Sequence, residues 1–207
     1  MKDSKYYLIL VIYLIAYSCS NHGKDPLTSI FSKHELKEID KIVEFYDNHV
    51  IENTSSLIPI DKAYKQFIEQ NKSKNEEIFL IESEERNILF NSIEPEFFKE
   101  VYELNDSAKC SDLRTRERYV SYPPFLTDLN RYGKFTAMIE MMSVNNRFYQ
   151  ETYNDIMQCG DIGPITIGRL IHHYDSIDFN QKSERFVFAV SFLKFETDLK
   201  RYRKNAP

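Results

Sequence analysis

The chain has one histidine cluster, His172-His173-Tyr174-Asp175, and it is the first place to look for metal or acid-base chemistry. Adjacent residues on a helix diverge by about 100°, so His172 and His173 cannot converge on one ion unless a helix end or loop lies there and a remote ligand joins them. The plainer reading is a histidine near a helix C-terminus, where the imidazolium suits the dipole. His34-Glu35-Leu36-Lys37-Glu38 approaches the zinc-protease helix pattern, but Glu38 stands where the second histidine must be. Gly163 to Leu170 has the glycine spacing of a phosphate loop. Arg169 and Leu170 replace its Lys and its metal-binding Ser or Thr, and Pro164 removes a backbone donor.

Arg114, Arg116 and Arg118 alternate, which on an extended segment sets three guanidinium groups on one side as a candidate carboxylate- or phosphate-binding strip. The competing reading is an edge strand protected by charge. No Gly-x-Ser-x-Gly elbow, Cys-x-x-Cys pair or dinucleotide fingerprint occurs. No catalytic residue, metal ligand or cofactor is therefore assigned, and the expected function is non-enzymatic.

These side chains need helices to hold them. Ser32-Lys33-His34-Glu35 is a capping box with Phe31 and Leu36 as the hydrophobic staple, so a helix starts near Lys33. Leu36, Ile39, Val43, Tyr46 and Val50 form its buried stripe. A second helix follows Pro59 with Tyr64, Phe67 and Ile68 inward. Ile88, Leu89 and Ile93 suggest a third, and Pro95 restarts a fourth. Helical periodicity fails from Asn105 to Pro124, the expected irregular arm. Leu126 to Met142 reads as one helix with Leu129, Tyr132, Ile139 and Met142 inward. Asn145 to Gln158 reads as another, closed by Cys159-Gly160. Gly133 would cost that earlier helix roughly 1 kcal/mol relative to Ala. Asp178 can cap a long last helix, whose run Phe186 to Leu193 is broken only by Ser191 and must lie at the centre. The predicted fold is all-α, a multi-helix antiparallel bundle with one irregular arm, in a single domain over residues 32–207. The 15 Phe and 14 Tyr, with no Trp, predict a Phe-rich core with Tyr at its wet edge.

The N-terminus supplies an address. Lys2 and Lys5 precede the apolar run Tyr6 to Tyr17, and Ala16 and Ser18 lie three and one before Cys19. This is the layout of a secretory signal, and the run is too short for the ~20 residues of a membrane span. The arrangement resembles the lipobox of bacterial lipoproteins, in which the cysteine after the cut carries the lipid. It covers only these residues, with Ala16 and Tyr17 where that pattern usually has Leu and a small residue. The resemblance implies cleavage after residue 18, lipidation at Cys19, a polar tether over 19–31 and a lipid anchor in the cell envelope. Ser20 is similar to the residue that sends enteric lipoproteins to the outer membrane. Ala16 and Ser18 also suit general signal peptidase, which leaves plain secretion as the alternative, with an uncleaved anchor third.

Loss of Lys2, Asp3 and Lys5 takes 27 basic and 32 acidic residues to 25 and 31, a net charge of −6 on the mature chain. That balance argues against nucleic acid as the main partner. With Cys19 lipidated, Cys110 and Cys159 remain as an even pair in an oxidising compartment and are expected to form a disulfide. The expected function is a lipid-anchored extracytoplasmic helical binding module with an unidentified protein partner. A cell-envelope metal-dependent hydrolase using His172, His173 and Asp175, and an anchored immunity or inhibitor protein, are the alternatives.

Overall fold

A computed structural model describes residues 25–72, 81, 83–104, 108–111, 118–121 and 127–204. The order of elements is α1 (Pro26–Ile30), α2 (Lys33–Glu52), α3 (Ile60–Lys72), α4 (Ser83–Ser92), α5 (Pro95–Val101), β1 (Tyr102–Leu104), β2 (Ala108–Ser111), β3 (Arg118–Ser121), β4 (Thr127–Leu129), α6 (Lys134–Ser143), α7 (Arg147–Cys159), α8 (Pro164–His172), a 3-10 turn (Tyr174–Ser176) and α9 (Lys182–Lys204). The fold is all-α, a multi-helix assembly with two small antiparallel β-ribbons.

The capping box forms as predicted. Ser32 Oγ accepts from Glu35 N at 3.3 Å, and Glu35 Oε2 accepts from Ser32 N at 2.8 Å. Two orphan donors of the helix start are thereby satisfied reciprocally. Glu35 also accepts from Lys134 Nζ at 2.6 Å, which ties the start of α2 to the start of α6. Burial opposes ionisation of Glu35, yet Lys134 and Ser32 hold its pKa below the ordinary carboxylate value. Ile39, Ile42, Val43, Tyr46 and Val50 are the buried stripe of α2. The folded unit begins before the capping box. Asp25 Oδ1 accepts from Leu27 N at 3.2 Å to start α1, and Leu27 and Phe31 are buried, so residues read as the end of a tether belong to the core.

The run Phe186 to Leu193 in α9 is buried on every side, Ser191 included. Ser191 Oγ satisfies itself by donating to Val187 O at 2.7 Å. This segment packs against α2 and α8. Its start is later than the sequence suggested, because Asp178 accepts from Asn180 N and Nδ2 and turns the chain ahead of Lys182. Rings gather around it: Phe188 meets Tyr46, Tyr64, Phe179 and Phe192, while Phe186 meets Phe31 and Phe135 edge-on. Tyr46, Tyr64 and Tyr102 are fully buried, so tyrosine occupies the centre as well as the wet edge.

The helix expected over Leu126 to Met142 is divided. Thr127 to Leu129 pairs with Leu104 to Tyr102 in an antiparallel ribbon, and α6 begins only at Lys134. Asn130 makes the break: its N donates to Val101 O, its Nδ2 donates to Lys99 O, and its Oδ1 accepts from Tyr132 N. Leu129 and Ile139 are inward as expected, whereas Tyr132 is 84% exposed. Gly133 serves a contact between α5 and α6, since a Cβ there would lie 2.3 Å from Glu100 O. Within the arm, Ala108 to Ser111 pairs antiparallel with Ser121 to Arg118.

Candidate functional site

A second stripe runs along α2 beside its buried one. Phe45, Asn48, His49 and Glu52 recur at i, i+3, i+4 and i+7, which places them on one face. Across from them α4 presents Glu85 and Ile88, one turn apart, while its Arg86, Leu89 and Phe90 turn inward. These six residues line a groove of about 310 Å³. Ile88, one of the apolar residues that suggested this helix, is 65% exposed at its rim.

The floor of the groove is held by the core. The His49 ring lies 5.9 Å from that of Tyr46 and edge-on to Phe67 at 5.7 Å. The last turn of α2 is capped by its own continuation: Asn53 Nδ2 donates to His49 O at 2.8 Å and Thr54 Oγ1 donates to Val50 O at 2.7 Å. Glu52 closes the helix, so its carboxylate adds to the negative end of the dipole. No ion pair engages Glu52 or Glu85 among the described residues, in contrast to Glu35, Glu38, Asp40, Asp47 and Asp155. The groove thus offers acceptors, an aromatic wall and an apolar rim.

Two further polar constellations hold the scaffold. Glu38, which stands where the zinc-protease pattern needs its second histidine, is buried, accepts from Glu94 N at 3.1 Å and pairs with Lys41 at 2.8 Å. It therefore caps α5 from α2, and despite burial its pKa falls below the ordinary value through Lys41 and the Glu94 amide. On the α7–α8 face, Asp155 Oδ2 accepts from Thr166 Oγ1 and from Arg169 Nη1 at 2.7 and 2.8 Å.

The residues singled out by sequence lie elsewhere. His172 ends α8, His173 caps it, Asp175 sits in the 3-10 turn, and all three side chains are exposed. Among the described residues no group of three or more His, Cys, Asp or Glu is placed to hold a metal. His34 pairs with Glu94 at 2.5 Å on the surface. Gly163 is the N-cap of α8 and Pro164 its first residue. Cys19, Arg114 and Arg116 lie outside the described residues. Arg118 opens β3 opposite Ser111, and Cys110 lies in β2 opposite Tyr119, but neither side chain is among those described. Cys159, exposed, is the last residue of α7. Among the described residues no helix is long and apolar enough to cross a membrane.

The groove was missed because the sequence reading followed only the buried stripe of α2 and assigned nothing to Phe45, Asn48, His49 and Glu52. The signal was Phe45 in line with Asn48, His49 and Glu52, an aromatic beside polar groups on a face that is not the core stripe. No family model matches this chain, and neither a curated protein nor a solved structure matches it.

Proposed function

We propose that the mature chain is a lipid-anchored extracytoplasmic binding module, tethered through Cys19 to the outer membrane of a bacterial envelope, and that the α2–α4 groove faces its protein partner. The observation that carries the binding reading is the groove itself, where the exposed Ile88 and partly exposed Phe45 stand beside carboxylates that no cation of this chain pairs among the described residues. Phe45 and Ile88 give the groove an apolar element and Glu52 and Glu85 a charged one, the two kinds of contact that a protein interface combines. The anchoring reading rests on the lipobox-like residues before Cys19.

Two measurements test it. Intact mass of the membrane-extracted protein should correspond to a chain starting at Cys19 plus acyl groups, and Cys19→Ala should move the protein out of the membrane fraction. A photo-crosslinking amino acid at position 88 should give one discrete protein adduct in cells, absent when it is placed at exposed Glu84. A chain starting at Cys19 without acyl groups converts the anchor to plain secretion, and no adduct removes the binding role.

A further inference from the structure

We propose that the α2–α4 groove takes a basic side chain, arginine or lysine, from the partner protein; this rests on the binding-module reading above. Two carboxylates reach the groove from different helices, Glu52 at the end of α2 and Glu85 in the first turn of α4. The negative end of the α2 dipole adds to the field of Glu52, while the positive end of α4 partly offsets that of Glu85. A cation entering there gains two acceptors without displacing an internal ion pair, because neither carboxylate has one among the described residues.

The walls fit the rest of such a side chain. Phe45 and Ile88 supply surface for an aliphatic stem, and an aromatic face beside a guanidinium or ammonium adds attraction. Asn48 lines the same groove. The volume, about 310 Å³, is at the low end for small-molecule pockets. Asn48, Glu52, Glu85 and Ile88 are all exposed, so the groove is open along one side. Small-molecule sites enclose most of their ligand, whereas an open groove of this size accepts one side chain projecting from a larger surface. An acidic partner would face both carboxylates and is disfavoured.

The probe is the peptide acetyl-Gly-Leu-Arg-Leu-Gly-amide, compared with the same peptide carrying citrulline or glutamate in place of arginine and titrated into the ¹⁵N-labelled mature chain. Arginine should shift the amide signals of Asn48, His49, Glu52 and Glu85, with affinity at least tenfold above citrulline and no detectable binding of the glutamate peptide. The double variant Glu52→Gln, Glu85→Gln should weaken the arginine peptide at least tenfold, while its melting temperature stays within about 2 °C because both side chains are exposed. Equal affinity for arginine and citrulline, an unchanged affinity in the double variant, or shifts centred elsewhere overturns the proposal. The adduct at position 88 separates the two readings. A crosslinked partner segment without Lys or Arg overturns the basic occupant alone, and no adduct at all overturns both.

Discussion

Tyr64 Oη donates a 2.8 Å hydrogen bond to Asp47 Oδ1 across the α2–α3 interface, and Arg185 of α9 brings its Nε within 3.2 Å of the same oxygen. Three helices therefore meet on one carboxylate. Burial outweighs both partners and raises the Asp47 pKa above its ordinary value; burial and the facing carboxylate lift Tyr64 well above 10. Arg185 is anchored independently, since its Nη1 donates to Phe179 O at 2.8 Å.

The first prediction concerns that junction. Tyr64→Phe should cost about 1 kcal/mol, the worth of one hydrogen bond. Asp47→Ala should cost about 3 kcal/mol or more, because it strands a largely buried guanidinium. The double variant should fall short of the sum by about 0.5–3 kcal/mol, read from urea denaturation. Additive losses would show that the Tyr64–Asp47 bond contributes nothing.

A second prediction follows from Glu184 in the first turn of α9. Its Oε2 is buried without a hydrogen-bond partner among the described residues, and burial raises its pKa from 4.5 to about 7. The folded state holds this proton more tightly than the unfolded chain. The favourable contribution is therefore complete below pH 4.5 and declines as pH rises to about 7, beyond which it is constant. The loss has an upper limit of about 3–4 kcal/mol at roughly 1.4 kcal/mol per unit. Glu184→Gln should stabilise the protein at pH 8, leave it nearly unchanged at pH 4, and flatten the curve between. A variant that destabilises equally at both pH values would refute the assignment.

Gly133 gives a third. Its φ of −83° suits any residue, so only space decides. Gly133→Ala should destabilise by about 1–3 kcal/mol through the clash with the Glu100 carbonyl. Thermal melting checks it, and a rise in melting temperature would mean that the α5–α6 contact relaxes freely.

The fourth concerns Cys110 and Cys159. If they are joined, the bridge closes a loop of about 50 residues, worth about 4 kcal/mol in the chain-entropy model. Unreduced mature protein should titrate no thiol, and reduction should lower its denaturation midpoint. Two titratable thiols before reduction would exclude the bridge.

Much of this fold was legible because its signals are local. The capping box at Ser32, the stripe from Ile39 to Val50, the restart at Pro95, the close at Gly160 and the all-apolar run in α9 each depend on residues within a turn or two of one another. The sequence by itself thus determined the fold class, the main helices and the segment that had to be central.

Tertiary structure alone decided which polar residues were scaffold and which were surface. Glu38 is spaced as a solvent residue, yet the amide of Glu94, 56 positions away, draws it inside. Leu126 to Met142 has a helical period, but Asn130 meets the α5 carbonyls and diverts the chain into β4 before α6. Phe45 and Ile88 become groove walls only because α4 lies beside α2 and leaves that strip uncovered. Periodicity records how often a side chain returns to one face; which face another helix covers depends on contacts far apart in the chain.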